Sequence, residues 1–354
     1  MIIDMHTHFI PSGFYAAARK GRDWYGCTLV RGEAKGGLDE QAKEHMVIAG
    51  TMYPMFPGEA DIQDPAERAR RRKEEEDIDL QALMIIGYLW NYHLDTKQGA
   101  AFTREVNQEV ADIQRSYPNQ YVGMGILTMQ DTNEAIKELE YLVKDLGLQS
   151  IALATSVNGK NLDDPTVMPI LEEAARADVL MHFHAPTIGL VGADHALDRF
   201  PRYFFRNSLG IPLESTLAVA SVIYGGLLDR FPDARMSFRN AGGFMPYGVG
   251  RFDHHYNTRA DSHVMEHPPS AYLKYLYYDC LTHDPASLRF LIDAVGVEQV
   301  MLGTDHPALD GILGGTVKWI RGQSSLSATE KDQILGDNAA RLLGLSPVGK
   351  EATT

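Results

Sequence analysis

Short runs of residues that favour strands alternate along this chain with stretches in which apolar residues recur every three or four positions. The runs predict eight strands, at Ile2–Met5, Ala82–Ile86, Tyr121–Leu127, Ser150–Ala154, Val179–Phe183, Arg235–Phe238, Tyr275–Tyr278 and Gln299–Leu302. The stretches predict helices, including Pro65–Asp79, Thr103–Ser116, Asn133–Asp145, Val167–Ala177, Glu214–Arg230 and Pro285–Val295. Eight alternating units predict an α/β fold, the closed (β/α)8 TIM barrel. Because the fourth and sixth runs are short and weakly patterned, an open doubly wound sheet is the alternative.

Two stretches lack this rhythm. Residues 11–63 are rich in Gly and show no sustained period, which predicts an irregular N-terminal insertion over the barrel mouth. It would either cover substrate or plug the end of the barrel. A second long connection, residues 186–212, carries aromatic and arginine residues, and long loops of this kind are usually functional or mobile. Since no linker divides the chain, we expect one domain over residues 1–345 and a tail over 346–354.

Composition narrows the class of protein. The 354 residues are 44% hydrophobic and 23% charged, as expected of a globular protein with a large core. Cys27 and Cys280 are too few for a disulfide framework and favour a reducing compartment. No secretory leader pattern precedes the first strand, and the longest strongly apolar run, Ala82–Trp90, is far short of the roughly 20 residues that span a bilayer. We therefore expect a cytoplasmic protein.

The net charge of −14 argues against nucleic acid or an anionic membrane as a partner. An anionic small-molecule substrate would need local positive charge, from a metal ion or from individual arginines.

The first predicted strand runs into Asp4-Met5-His6-Thr7-His8. Side chains alternate faces in a strand, so His6 and His8 project to the same side and could bind one cation. For an isolated pair of this spacing, two surface histidines would be the more ordinary interpretation. The ends of two later predicted strands make a cation site the better interpretation.

In a TIM barrel the active site lies at the carboxyl ends of the strands. The fifth predicted strand ends in Met181-His182-Phe183-His184, and the eighth ends in Gly303-Thr304-Asp305-His306. Three histidines and an aspartate thus meet on one face, which predicts a site for one divalent metal ion. Zinc is favoured, with manganese, iron or cobalt as alternatives, and one coordination position would stay open.

The chain resembles the amidohydrolase superfamily, in its aminocarboxymuconate-semialdehyde decarboxylase branch. The segments that carry the resemblance are residues 4–11, Gly123–Gln130, Gly210–Thr216, Gly225–Pro232, Pro246–Arg251, His283–Pro285 and Leu302–Pro307. The resemblance implies that the metal ligands are His6, His8, the histidine that ends strand five, and Asp305. The family-like register from the preceding helix places that histidine at His184. His182 lies one layer deeper, where a buried supporting group is the more common role.

The sharpest departure from the family follows strand six. Members typically carry a histidine there that is assigned as the acid/base beside the metal, and Asn240 stands in its place. An amide can orient a water or a carbonyl group, but it cannot exchange a proton near neutral pH. The proton would then be handled by Asp305, His182, His283 or water on the metal. For His283 a loop histidine near a helix start is an equally good interpretation.

Other groups are assigned with alternatives. Arg251 matches a family arginine that reaches a substrate carboxylate in the neighbouring subunit, which implies a homodimer or larger homo-oligomer; the alternative is a surface ion pair. The charged run at residues 68–76 is expected to be a solvated helix face. Residues 277–279 end strand seven and are candidates for the pocket wall.

The leading hypothesis is a metal-dependent, non-oxidative decarboxylase, with Asp305, Asn240 and His283 as catalytic candidates and Arg251 and Asn240 as substrate-binding ones. Its substrate would be an aromatic or unsaturated carboxylic acid with a neighbouring hydroxyl, amino or oxo group, and it needs no organic cofactor. The alternative enzyme is a metal-dependent hydrolase or hydratase of a related ring-cleavage product, lactone or amide. A non-catalytic metal-binding protein is the third hypothesis.

Overall fold

The computed structural model describes residues 1–31, 44–55, 64–186, 203–308 and 311–345. The strands of this part of the chain are β1 (Ile3–Phe9), β2 (Cys27–Arg31), β3 (Glu44–Ile48), β4 (Thr51–Met55), β5 (Leu80–Ile85), β6 (Tyr121–Gly123), β7 (Ser150–Ala154), β8 (Leu180–His184), β9 (Met236–Phe238), β10 (Tyr277–Asp279) and β11 (Val300–Met301). All strands except β2, β3 and β4 correspond to the eight predicted ones. They pair in parallel, in the orders β1-β5-β6 and β7-β8-β9-β10-β11.

Backbone hydrogen bonds join these two sheets at both edges. Gly125, just after β6, donates to Ser150 of β7 at 2.9 Å and accepts from Ala152 at 2.8 Å. At the other edge, Met5 of β1 donates to Leu302 at 2.9 Å, just after β11. The eight strands therefore follow one another around a ring, and the predicted TIM barrel is confirmed. Their residues are almost all buried, because a parallel sheet in a barrel is covered on both faces.

Helices connect the strands. The α-helices of the described residues are α1 (Ser12–Ala18), α2 (Pro65–Glu76), α3 (Thr96–Ser116), α4 (Thr132–Tyr141), α5 (Met168–Arg176), α6 (Ile211–Tyr224), α7 (Leu227–Arg230), α8 (Met245–Thr258), α9 (Pro285–Val295), α10 (Thr316–Arg321), α11 (Ala328–Asp332) and α12 (Asn338–Leu342). Aspartates at residues 64, 95, 131 and 284 accept backbone N–H groups in the first turns of α2, α3, α4 and α9. The single helix predicted over residues 214–230 is divided, because Gly226 adopts a φ of 65°.

No helix among the described residues is both long enough and apolar enough to cross a membrane.

The charged helix α2 is only partly the solvated face that its sequence predicts. Arg70 is exposed and pairs with glutamates of the same helix. Arg68 and Arg72 are buried, and Arg68 donates to the backbone carbonyl oxygen of His8 at 2.5 Å. Arg68 also donates to Gln81 of β5 at 2.9 Å, and Arg72 pairs with Glu76 of its own helix at 2.6 Å. The prediction is therefore wrong for these two arginines.

The N-terminal insertion is more regular than its sequence predicts. It contains α1 and an antiparallel sheet in the order β2-β3-β4. Tyr53 of β4 stacks on Tyr88 with ring centroids 5.2 Å apart, and Cys27 contacts Asn91. Tyr88 and Asn91 follow β5, at the carboxyl ends of the barrel strands. The insertion thus lies at the expected end of the barrel.

Candidate metal centre

Four side chains of the kind that bind metals converge at the carboxyl ends of three strands. His6 and His8 lie on β1, His184 is the last residue of β8, and Asp305 follows β11. All four are buried, and one possible ligand atom from each lies within 4.8 Å of the others. The ring of strands has therefore brought together residues that are far apart in the chain.

Each of the three imidazoles is held at its Nδ1 atom. His6 Nδ1 lies 2.9 Å from Asp279 Oδ2. The Nδ1 atoms of His8 and His184 lie 3.2 Å and 2.9 Å from backbone carbonyl oxygens. Because carboxylate and carbonyl oxygens only accept, each Nδ1 carries a proton, and a neutral ring keeps its lone pair on Nε2. The three Nε2 atoms are thus the donors available to a cation.

Asp305 supplies the oxygen donor. Its Oδ1 lies 2.9 Å from His8 Nε2 and 3.0 Å from His6 Nε2. Burial opposes its ionisation, but the charges of Arg239 and His6 hold the pKa of Asp305 well below its ordinary value. The carboxyl group is therefore ionised at neutral pH.

The histidines respond differently to this environment. Burial acts to lower the pKa of His6, but the charge of Asp305 and hydrogen bonds to Asp279 and Asp305 raise it to about 9. Burial prevails at His8 and lowers its pKa to about 4, and it holds the pKa of His184 well below the ordinary value. His8 and His184 are therefore neutral at pH 7, whereas His6 must release a proton before it can bind a cation.

This donor set fits one divalent cation. Three imidazole nitrogens and one carboxylate oxygen suit zinc, manganese, iron or cobalt. The Nε2 atoms of His6 and His8 both face Asp305 Oδ1, at 3.0 Å and 2.9 Å, so two nitrogen donors and one oxygen donor already point to the same place. The geometry thus supports a metal-binding site at the residues that the sequence indicates.

Two glycines leave room for the histidine rings. A Cβ atom on Gly87, which follows β5, would lie 2.5 Å from Cε1 of His184. A Cβ atom on Gly303 would lie 2.9 Å from the Cβ atoms of both His6 and Asp279. Any larger residue at these two positions would displace a side chain of the centre.

Asp279, the last residue of β10, links the centre to the chain that follows β9. One of its oxygens lies 2.9 Å from His6 Nδ1 and also accepts from the Asn240 backbone N–H at 3.0 Å. Its other oxygen accepts from the Ala241 N–H at 2.9 Å. Asn240 and Ala241 have φ values of 52° and 55°, in the left-handed region that residues other than glycine seldom adopt. The hydrogen bonds to Asp279 therefore hold an unusual turn in place.

Arg239 extends into the centre from the first position of this turn. Its side chain is 3% exposed. Nη1 donates to His184 Nε2 at 2.6 Å, and Nη2 donates to Asp305 Oδ2 at 3.4 Å. A buried guanidinium therefore contacts two of the four candidate ligands.

The family follows from comparison with known proteins. The amidohydrolase family profile matches residues 3–345. The chain belongs to the amidohydrolase family. A 2-amino-3-carboxymuconate-6-semialdehyde decarboxylase of Dictyostelium discoideum is 32% identical over 350 residues, which cover 98% of this chain and 92% of that protein. The resemblance to that branch is confirmed.

Solved structures agree on the fold of this amidohydrolase. The 5-carboxyvanillate decarboxylase of Sphingomonas paucimobilis superimposes with a TM-score of 0.77 at 20% identity, covering 98% of this chain and 99% of that one. A dihydroxybenzoic acid decarboxylase of Polaromonas sp. JS666, solved with manganese and the inhibitor 2-nitroresorcinol, gives 0.75 at 18% identity, with 97% and 96% covered. At these identities the likeness concerns the barrel alone.

The remaining candidate residues of this amidohydrolase lie at different distances from the centre. Asn240 and His283 share the wall of a cavity of about 480 Å³, together with the aromatic residues Phe204, Phe244, Tyr247 and Phe290. Asn240 Oδ1 is buried and accepts no hydrogen bond from the described residues. Within the described part of the chain, the four candidate ligands do not line this cavity.

Arg251 and His182 lie outside both groups. Arg251 is exposed on α8 and is not among the described residues of the cavity wall. His182 is buried, and its Nδ1 lies 2.7 Å from Ser237 Oγ. It is not part of the converging set, which matches its expected position one layer below His184.

We predict that replacing His184 by Ala greatly reduces metal content, whereas replacing His182 by Ala leaves it near one ion per chain. The physical reason is that His184 presents an Nε2 atom to the other three ligands and His182 does not. Elemental analysis of both purified variants, beside the wild type, provides the measurement. Metal loss in His182→Ala with retention in His184→Ala would reverse the assignment.

Proposed function

We propose that this amidohydrolase is a metal-dependent, non-oxidative decarboxylase. Its substrate is an aromatic or unsaturated carboxylic acid with a neighbouring hydroxyl, amino or oxo group, and it uses no organic cofactor. The observation that carries the proposal is the convergence of three imidazoles and Asp305 in a chain similar to a named decarboxylase over almost its whole length. Fold alone would not be enough, because barrels of this kind host many reactions.

We propose zinc as the cation, with manganese, iron or cobalt as substitutes. His6, His8, His184 and Asp305 would hold it. The manganese named for the Polaromonas relative supports a divalent ion of this group. When bound, the cation would act as a Lewis acid that stabilises the negative charge developing as the carbon–carbon bond breaks.

The protein's own side chains would bind the substrate and move the proton. The cavity beside Asn240 is large enough for a single-ring acid, and its four aromatic side chains offer flat apolar contacts to the ring. Asn240 would orient the substrate through its amide, since its Oδ1 is available as an acceptor. His283, on the same wall, would supply the proton that replaces carbon dioxide on the ring carbon. Asp305 is the alternative source of that proton.

A hydrolase or hydratase is the second candidate function. Asn240 favours it, because the family's acid/base histidine is missing from the turn after β9. Such a reaction needs an activated water, and a bound cation would supply it by lowering the pKa of that water. The two candidates differ in one product, carbon dioxide.

We further propose a cytoplasmic homodimer in which Arg251 reaches the substrate carboxylate of the neighbouring subunit. Its exposure on α8 leaves it available to another chain. The buried free thiols of Cys27 and Cys280 suit a reducing compartment.

Incubation with hydroxybenzoates, a muconate semialdehyde and lactones should give carbon dioxide in step with the ultraviolet change of one of the acids. Metal-replete wild type is compared with His184→Ala as the inactive control. Formation of product without carbon dioxide would contradict the decarboxylase proposal and favour the hydrolase or hydratase.

Replacing Asn240 by Ala should reduce turnover about a hundredfold with metal content unchanged. Loss of one hydrogen bond where charge develops costs on the order of 3 kcal/mol. Asn240→His should not simply improve turnover, since it adds a titrating group near a cation. Asn257→Ala, an exposed asparagine of α8, is the matched control. Full activity of Asn240→Ala would leave the amide without a role.

Mixing inactive Arg251→Ala subunits with inactive Asp305→Ala subunits should recover about a quarter of wild-type activity. Half of the dimers would be mixed, and each would contain one intact site. The control mixture is His184→Ala with Asp305→Ala, which damages both sites and should stay inactive. Absence of recovery in spite of demonstrated subunit exchange would contradict the shared site.

A further inference from the structure

The backbone on both sides of Arg239 fixes where its side chain points. Its N–H donates to the carbonyl oxygen of Phe183 at 3.2 Å, which ties the end of β9 to β8 one residue before His184. The next residue, Asn240, is held by Asp279 at 3.0 Å. Because the backbone is anchored at both Arg239 and Asn240, the guanidinium is directed into the barrel, where it is almost completely buried.

The contact between Arg239 and His184 involves the same atom that would bind a metal. His184 Nδ1 points to a backbone carbonyl oxygen, so the only lone pair of the neutral ring is on Nε2. That lone pair accepts the hydrogen bond from Arg239 Nη1 at 2.6 Å. One lone pair cannot accept this hydrogen bond and coordinate a cation simultaneously. The guanidinium and a metal ion therefore compete for His184.

Charge strengthens this competition. A divalent cation and a guanidinium would lie close together in a buried site where water screens little. Asp305 carries one negative charge toward both of them, since its Oδ1 faces the histidines and its Oδ2 faces Arg239. The Asp279 carboxylate beside His6 adds a second negative charge, and the three positive charges of the cation and the guanidinium still exceed these two. An added anion would therefore stabilise the loaded centre. A guanidinium with paired N–H donors matches a carboxylate particularly well.

We propose that Arg239 couples metal binding to the binding of a carboxylate in the same subunit. Without a carboxylate, Arg239 opposes the metal at His184; with one, the guanidinium transfers its hydrogen bonds from His184 to the carboxylate. Metal and acid then bind cooperatively, each increasing the affinity for the other by the same factor. The coupling rests on the proposed function for the nature of the substrate. It gives the site an anion-binding arginine of its own, in addition to Arg251.

The first test measures metal affinity alone, by competition of Mn²⁺ and Zn²⁺ with a chromophoric chelator. Arg239→Met keeps the length of the side chain but removes its charge and its donors. It should bind both ions about tenfold more tightly than wild type, because the cation no longer competes with a charge-assisted hydrogen bond for His184. Arg239→Gln guards against a folding defect peculiar to one variant, and unfolding temperatures are recorded for both. Arg259→Met, which removes an exposed arginine paired with Asp261, should match wild type.

The second test repeats the titration with saturating benzoate, an aromatic carboxylate that lacks the neighbouring hydroxyl group. Benzoate should increase the metal affinity of wild type several-fold and leave that of Arg239→Met unchanged. Unchanged or weaker metal binding in both Arg239 variants would overturn the competition. An equal effect of benzoate on wild type and Arg239→Met would overturn the coupling. Neither readout requires turnover, so a failure here is separate from a failure to release carbon dioxide.

Discussion

The hydrogen bond from the Asp305 N–H to the His6 carbonyl oxygen, 2.8 Å long, joins the last strand region of the barrel to the first. It belongs to a continuous seam in which Thr304 donates through its N–H and its hydroxyl to the Asp4 carboxyl group. The same seam places Asp305 Oδ1 against two histidine Nε2 atoms. The contacts that close the barrel thus also bring Asp305 to the two histidines of β1. A displacement of β1 along this seam would disturb both the closure of the barrel and the candidate metal centre.

Burial opposes the ionisation of carboxyl groups, and two buried aspartates of this structure respond to it differently. Asp4 and Asp305 are both buried carboxyl groups, yet their pKa values move in opposite directions. Burial prevails at Asp4, against its bond to Thr304, and raises its pKa to about 6. At Asp305 the charges of Arg239 and His6 prevail over burial. The nearby Arg72 opposes the rise at Asp4 without preventing it, whereas Arg239 donates directly to Asp305. A buried cluster like that around Asp305 is better explained by binding than by stability.

The sequence predicted the barrel and the four converging residues because both depend on local order. Strands alternate with helices, and strand ends must share one face, so His6, His8 and Asp305 could be placed by counting. The choice of His184 over His182 came from the family resemblance. The same counting could not find the role of Arg239. Its position after the strand is evident, but whether an arginine there turns inward depends on how Asp279 and Phe183 hold the backbone around it.

Other features could not be predicted because they depend on contacts between residues that are distant in sequence. Nothing in the run at residues 68–76 shows which arginines face the barrel, and Arg68 is buried where it donates to His8 of β1 and to Gln81 of β5. The antiparallel sheet of the insertion depends on pairing across segments without a clear alternating pattern. Asp279 looked like one more pocket residue, although it supports both His6 and the turn at Asn240.

Arg239 and Asn240 together change the character of the turn after β9. The resemblance leads one to expect a histidine there, which would offer a proton beside the metal, whereas this chain offers an amide and a permanent cation. A guanidinium does not exchange protons near neutral pH, so the turn can bind charge but cannot transfer a proton. Proton delivery must then come from another element. Of the candidates that the sequence indicates, His283 is the one that shares the cavity wall with Asn240. Under the proposed function, the chemistry would divide between two loops: the turn after β9 would bind the acid, and the loop after β10 would supply its proton.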